Sequence, residues 1–212
     1  GNDTGVGINH LECSLDGASF STFTSPVHFT SPKITDGSHT FEVVSVDNST
    51  NKDPSPASFA WNVDTISPLA SIDSAIHGNN STVINGSNTK SNAVTIEFSG
   101  NDTGVGINHL ECSLDGASFS TCTSPVQLTS TDLLDGTHSF MVVAQDNVGN
   151  TMNSPVLFNW TVDTLPPTTA INTAIDENNG TLVSGDNTNS SSIDFTFSGN
   201  DRGINEDNGV GI

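Results

Sequence analysis

Tyrosine is absent from this 212-residue chain, and lysine and arginine together occur only 4 times. The second shortage excludes more than the first. Against 24 aspartates and glutamates it leaves a net charge of −20, a surface that repels nucleic-acid phosphates and anionic lipid. Nucleic-acid partners are therefore not expected. No apolar run approaches the ~20 residues of a membrane span, so this segment is not expected to insert directly into a membrane. No signal peptide is visible, as expected of a stretch that opens inside a repeated phrase. Helical periodicity is missing too, since no window of useful length spaces its apolar residues by three and four. Low hydrophobicity joined to high charge can signal disorder. The apolar residues alternate too regularly for that.

What is present is repetition. "GNDTGVGINHLECSLDGASFST" stands at 1–22 and again at 100–121, and a third copy opens at Gly199. The period is 99 residues (100 − 1, and again 199 − 100), with no gap from Gly1 to Gly199. That length suits a whole domain in tandem rather than the turn of a solenoid. Within one unit, Val94, Ile96 and Phe98 alternate with Thr95 and Glu97, and Leu110, Cys112 and Leu114 with Glu111 and Ser113. Phe140, Val142 and Ala144 share one face, as do Phe158, Trp160 and Val162. Period-two runs broken by Gly, Pro, Asn and Asp indicate half-buried antiparallel strands. Strands are expected at 69–76 (A), 93–99 (B), 107–114 (C), 117–122 (C′ or D), 125–130 (E), 137–146 (F) and 155–163 (G). About seven strands in ~100 residues is the rhythm of an immunoglobulin-like β-sandwich, so the fold class expected is all-β, in tandem repeats.

Three motifs, "ECSLDGASFSTCTSPVQL", "LDGTHSFMVVAQDNVGN" and "SPVLFNWTVDTLPP", cover most of residues 108–167 in order. They resemble the tandem Ig-like repeats of very large bacterial and archaeal surface proteins. The resemblance implies an extracellular, cell-surface stalk, adhesin or filament, and implies no catalysis. It also pairs Cys112 with Cys122. A two-residue turn at Asp115-Gly116 would set Cys112 opposite Phe119, so the pairing requires a longer loop or a bulge. A disulfide there would imply an oxidising exterior. Cys13 has Phe23 where its partner would stand, and is either a reactive thiol or a buried small side chain packed on Phe23.

The expected domains are a partial repeat at 1–64 (strands C to G), a complete one at 65–163, and a partial one at 164–212 (strands A and B). Residues 164–198 and 1–64 sum to 35 + 64 = 99, one full period. Each partial sandwich would leave an apolar face and bare strand edges in water. The expected partners are therefore neighbouring copies of the same repeat, head to tail, either along one longer continuous polypeptide or as separate subunits joined as in donor-strand complementation. Two other readings stay open: an adhesive module for a glycan or receptor, and a spacer in a secreted enzyme.

Acidic loops are the best site candidates. In this topology the linker meets the B–C and F–G loops, which would gather Asp64, Asn101, Asp102, Asp146, Asn147 and Asn150. Hard oxygen donors from several loops suit calcium, the one cofactor the pattern favours, although no EF-hand spacing is present. Asn and Asp also make turns without any ion. Sequons at Asn2, Asn48, Asn79, Asn80, Asn85, Asn101, Asn159, Asn179 and Asn189 would allow a glycoprotein. His39 and His138 share parity with Phe41 and Phe140 and are expected to pack at strand starts, while His10 and His109 face solvent. No histidine–cysteine cluster or catalytic triad spacing stands out, so neither a transition-metal site nor an enzyme is expected.

Overall fold

Alternation of branched or aromatic residues with small polar ones builds a strand that is apolar on one face only, and such strands must pair face to face. In the computed structural model, which describes residues 5–78 and 81–201, the elements are strands, and no helix occurs among the described residues. The four of the first repeat are β1 (Ile8–Leu15), β2 (Ser21–Thr22), β3 (Gly37–Asp47) and β4 (Ala57–Val63), ordered β2-β1-β3-β4 in one sheet. The second repeat contributes β5 (Leu69–His77), β6 (Asn88–Thr89), β7 (Val94–Asn101), β8 (Ile107–Leu114), β9 (Ser120–Cys122), β10 (Val126–Leu128), β11 (Gly136–Asp146) and β12 (Val156–Val162). They form a three-stranded sheet β10-β7-β5 and a five-stranded sheet β6-β12-β11-β8-β9. The third contributes the antiparallel pair β13 (Thr168–Asp176) and β14 (Ile193–Asn200).

Two compact units result. Among the described residues, one comprises 5–69 with 100–109 and 144–153, and the other 70–78, 81–99, 110–143 and 154–201.

In the second unit the two sheets close over one core. Ile96 and Phe98 of β7 meet Phe140 and Val142 of β11 and Phe158 and Trp160 of β12, and the Phe98 and Phe140 rings lie 5.8 Å apart. The alternation holds along all three strands: Val94, Ile96 and Phe98 are buried while Glu97 is exposed. Leu110, expected inside, is only half-buried and packs at the edge of this cluster.

The disulfide joins Cys112 to Cys122 with Cα atoms 5.8 Å apart. Its register shows how. The Asp115-Gly116 turn, left-handed at both residues (φ 50° and 76°), closes Ala117 N–H onto Leu114 C=O at 3.0 Å. The ladder beyond it pairs Cys112 with Ser120 and Leu110 with Cys122. That is one residue further along than the turn alone dictates, so a bulge separates turn from ladder. The cysteines thus bridge diagonally. Cys13 is buried and unpaired, beside Phe23.

The histidines do more than pack. His138 is buried, with Nδ1 at 2.8 Å from Asp115 Oδ2 and Nε2 at 2.7 Å from the Leu134 carbonyl oxygen, its ring 5.5 Å from Trp160. His39 repeats this with Asp16 (2.8 Å), Thr35 C=O (2.6 Å) and Trp61 (5.4 Å). Each turn aspartate also accepts a backbone N–H from the strand beyond its histidine, Ser139 and Thr40 respectively. The pair fastens the hairpin turn to the central strand of its sheet.

Candidate functional site

Three loops bring three carboxylates together inside the first unit. Asp64 follows β4, Asp102 follows β7 and Asp146 ends β11, and one oxygen from each lies within 4.8 Å of the others'. Each is oriented by neutral amides. Asp146 is fully buried. Its Oδ1 accepts N–H from Val148 (2.9 Å) and Asn150 (2.8 Å), and Oδ2 accepts the Asn150 side-chain amide at 2.7 Å. Burial pushes its carboxyl up, but the donors from Asn150, Val148 and Gly149 outweigh that and hold it below the ordinary carboxylate value. Asp64 accepts Ile66 N–H at Oδ1 (3.0 Å) and Val105 N–H at Oδ2 (2.9 Å). Asp102 takes Gly104 and Gly106 N–H on Oδ2 alone, at 3.0 and 2.8 Å. Its Oδ1 is buried and accepts nothing.

Backbone geometry makes this crowding possible. A Cβ on Gly104 would collide with the Asp64 carboxylate, so no side chain fits at that position.

Of the candidate ligands expected from sequence, the three aspartates converge and the asparagines serve as props. Asn147 Nδ2 donates to the Val105 (2.8 Å) and Gly106 (3.1 Å) carbonyls. Asn150 Nδ2 spans the Asp146 carboxylate and the Asp64 carbonyl (3.1 Å). Asn101 is exposed at the end of β7. Among the sequons, Asn48, Asn85, Asn101, Asn179 and Asn189 are exposed, with Asn48 donating its amide to Val6 and Gly7 C=O, and Asn159 is half-buried on β12. Asn2, Asn79 and Asn80 lie outside the described residues.

The second feature is a bare apolar face. In the first unit Leu11, Phe23, Phe29, Phe41, Phe59 and Trp61 line an open trough of about 570 Å³. One period later these positions carry core residues. Phe158 is 8 % exposed, whereas Phe59, in the same place on β4, is 68 % exposed. The strands that cover Phe158 are β5 and β7, and their period-equivalents are β13 and β14. There the sides are reversed: Phe195 is 55 % exposed against 0 % for Ile96, and Phe197 79 % against 3 % for Phe98. Residues 27–29 form no strand, while their equivalents 126–128 form β10 by pairing with β7. A β7-like strand beside them is lacking among the described residues.

The chain is thus an all-β protein of sandwich modules with one acidic loop cluster. No protein-family description matches it, and no curated protein does. Solved structures do. The fibronectin(III)-like modules of Clostridium thermocellum CbhA are 15 % identical over 77 % of this chain and 82 % of theirs, with a TM-score of 0.35. An extracellular domain from B. thetaiotaomicron is 14 % identical (69 % of this chain, 26 % of that one, TM-score 0.37). The protein SGBP-B of the Bacteroides ovatus mixed-linkage glucan utilization locus, solved with a mixed-linkage heptasaccharide, is 16 % identical (74 % and 39 %, TM-score 0.20).

Proposed function

We propose that this chain is a structural repeat segment of an extracellular filament, stalk or adhesin, its open sandwich halves completed by neighbouring copies. One observation carries the reading: the trough and the β13–β14 hairpin expose between them the positions that form one closed core in the second repeat. Ile193, Phe195 and Phe197 stand where Val94, Ile96 and Phe98 are buried, and Leu11, Phe41 and Trp61 where Leu110, Phe140 and Trp160 meet them. The occupant of the trough is therefore a β13–β14 hairpin from a second copy. Burying each large side chain contributes about 1.5–3 kcal/mol, before the entropy of ordering is subtracted. The disulfide supports an oxidising location outside the cytoplasm. The net charge of −20 supports a role without nucleic acid or anionic membrane. The reading assigns no catalysis.

The test is the association state of the whole chain by sedimentation velocity across a concentration series. Growing oligomers are expected, abolished by the double substitution Phe195→Asp, Phe197→Asp. A chain that stays monomeric at the highest concentrations, or a double variant that associates unchanged, refutes it.

A further inference from the structure

We infer that Asp64, Asp102 and Asp146 bind one calcium ion, independently of whether copies associate. Two observations point to an ion rather than to acidic turns alone. The first is the orphaned Oδ1 of Asp102. Both backbone donors of its loop go to Oδ2, and Oδ1 is shut away from water with no donor of its own. A buried carboxylate oxygen without a partner loses its hydration for nothing. The second is that the next copy does the same: Asp201, one period on from Asp102, also has a buried Oδ1 that accepts nothing. The loops repeat as well. Asp163 accepts Leu165 N–H (3.1 Å) as Asp64 accepts Ile66 N–H. Asp47 takes Ser49 and Asn51 N–H at 2.8 Å as Asp146 takes Val148 and Asn150. Among the described residues only Asp64, Asp102 and Asp146 are assembled as a trio.

The donor set selects the ion. Three carboxylates with no imidazole or thiolate form a hard, all-oxygen site, unsuited to zinc. Calcium holds oxygens at about 2.3–2.6 Å, so oxygens on opposite sides of it lie about 4.6–5.2 Å apart. Magnesium at about 2.0–2.1 Å demands a tighter cage of about 4.0–4.2 Å. The three oxygens lie within 4.8 Å of one another, inside the span of a calcium shell, and magnesium's reluctance to shed its waters sets it apart at a cluster of protein carboxylates. The donors already on the carboxylates are neutral amides, so the three negative charges repel one another until a cation arrives. Bound calcium would tie the segment after β4 to the 100–109 and 144–153 loops, all within the first unit.

The test uses the whole chain, stripped with EDTA and titrated with calcium chloride in a calorimeter, with hydrogen exchange followed in parallel. One ion per chain is expected, in the roughly 10⁻⁴–10⁻³ M range of extracellular modules. Exchange in 100–109 and 144–153 should slow, recover with EDTA, and not respond to equal magnesium chloride. Asp102→Asn keeps an oxygen for the Gly104 and Gly106 amides and puts an NH₂ at the orphan position. It should weaken calcium binding at least about tenfold while leaving the melting temperature in EDTA unchanged or raised. Absence of calcium-dependent heat and protection overturns the inference. So does equal binding of magnesium, or unchanged affinity in Asp102→Asn. Should that variant fail to fold, Asp102→Glu, which displaces the oxygens by one methylene, replaces it under the same criterion.

Discussion

Phe98 and Phe197 occupy one position of the repeat in two different environments, and replacing each by alanine tests the proposed completion of the second sandwich. Phe98 is 3 % exposed in contact with Phe140, so Phe98→Ala removes a buried ring and leaves a cavity, at a cost of about 3–5 kcal/mol. Phe197 is 79 % exposed, leaving 0.21 of its surface covered. That fraction of the about 1.5–3 kcal/mol available from burying a phenylalanine is about 0.3–0.6 kcal/mol. In dilute chain, urea unfolding followed by tryptophan fluorescence should show a large fall in the midpoint for Phe98→Ala and almost none for Phe197→Ala. At concentrations where copies associate, Phe197→Ala should acquire a cost approaching that of Phe98→Ala. Equal costs in dilute chain would mean that Phe197 already lies in a core within its own chain. A Phe197→Ala cost that stays small at every concentration would refute completion by another copy.

His39 offers a pH-dependent test. Both ring nitrogens face acceptors, so only the doubly protonated ring satisfies both, and the Thr35 carbonyl and then the Asp16 carboxylate raise its pKa above 6.5. His39 donation in turn, followed by Thr40 N–H, lowers Asp16 below 3.8. The histidine contribution is complete below pH 6.5 and lost as pH climbs through the raised value. The aspartate contribution is complete above 3.8 and lost as pH falls through the lowered one. His39→Gln should therefore destabilise more at pH 6 than at pH 9, and an NMR pKa for His39 at or below 6.5 would contradict the geometry. Among the cysteines, replacing Cys112 and Cys122 by serine should cost roughly 2–3 kcal/mol through the loop they close. Burial pushes the Cys13 thiol up, so alkylation should await unfolding, and rapid labelling of folded chain would show that it is not buried.

Strand positions were legible wherever alternation ran long enough to declare a face. The runs at 69–76, 93–99, 107–114, 137–146 and 155–163 coincide with β5, β7, β8, β11 and β12 to within two residues. β6 was not legible. Two polar residues, Asn88 and Thr89, join the sheet edge by parallel pairing with β12, and so short a segment has no periodicity to detect. The disulfide was legible from resemblance, and its bulge from the mismatch between turn length and cysteine spacing. Parity with Phe140 puts His138 on the core face, where it is buried. Its tie to Asp115 was hidden because Asp-Gly already accounted for that aspartate as a turn residue. At the acidic cluster, topology alone gathers Asp64, Asp102 and Asp146. Which neighbouring amides turn their NH₂ inward, as Asn150 does, depends on side-chain rotation that no spacing encodes.

A trough on one part of the chain and a matching hairpin on another have a consequence for growth. The two surfaces differ, so joining between copies as proposed would use one of each and leave one of each free. On the proposed reading such a molecule is a bifunctional monomer. Unless the rotation from copy to copy happens to close a ring, its assembly has no natural end-point, and mean length follows the extent of reaction. A copy with its hairpin disabled by Phe195→Asp and Phe197→Asp keeps a working trough and becomes a monofunctional stopper. Added in known ratio, it should lower the mean length of the polymers, more so the higher the ratio.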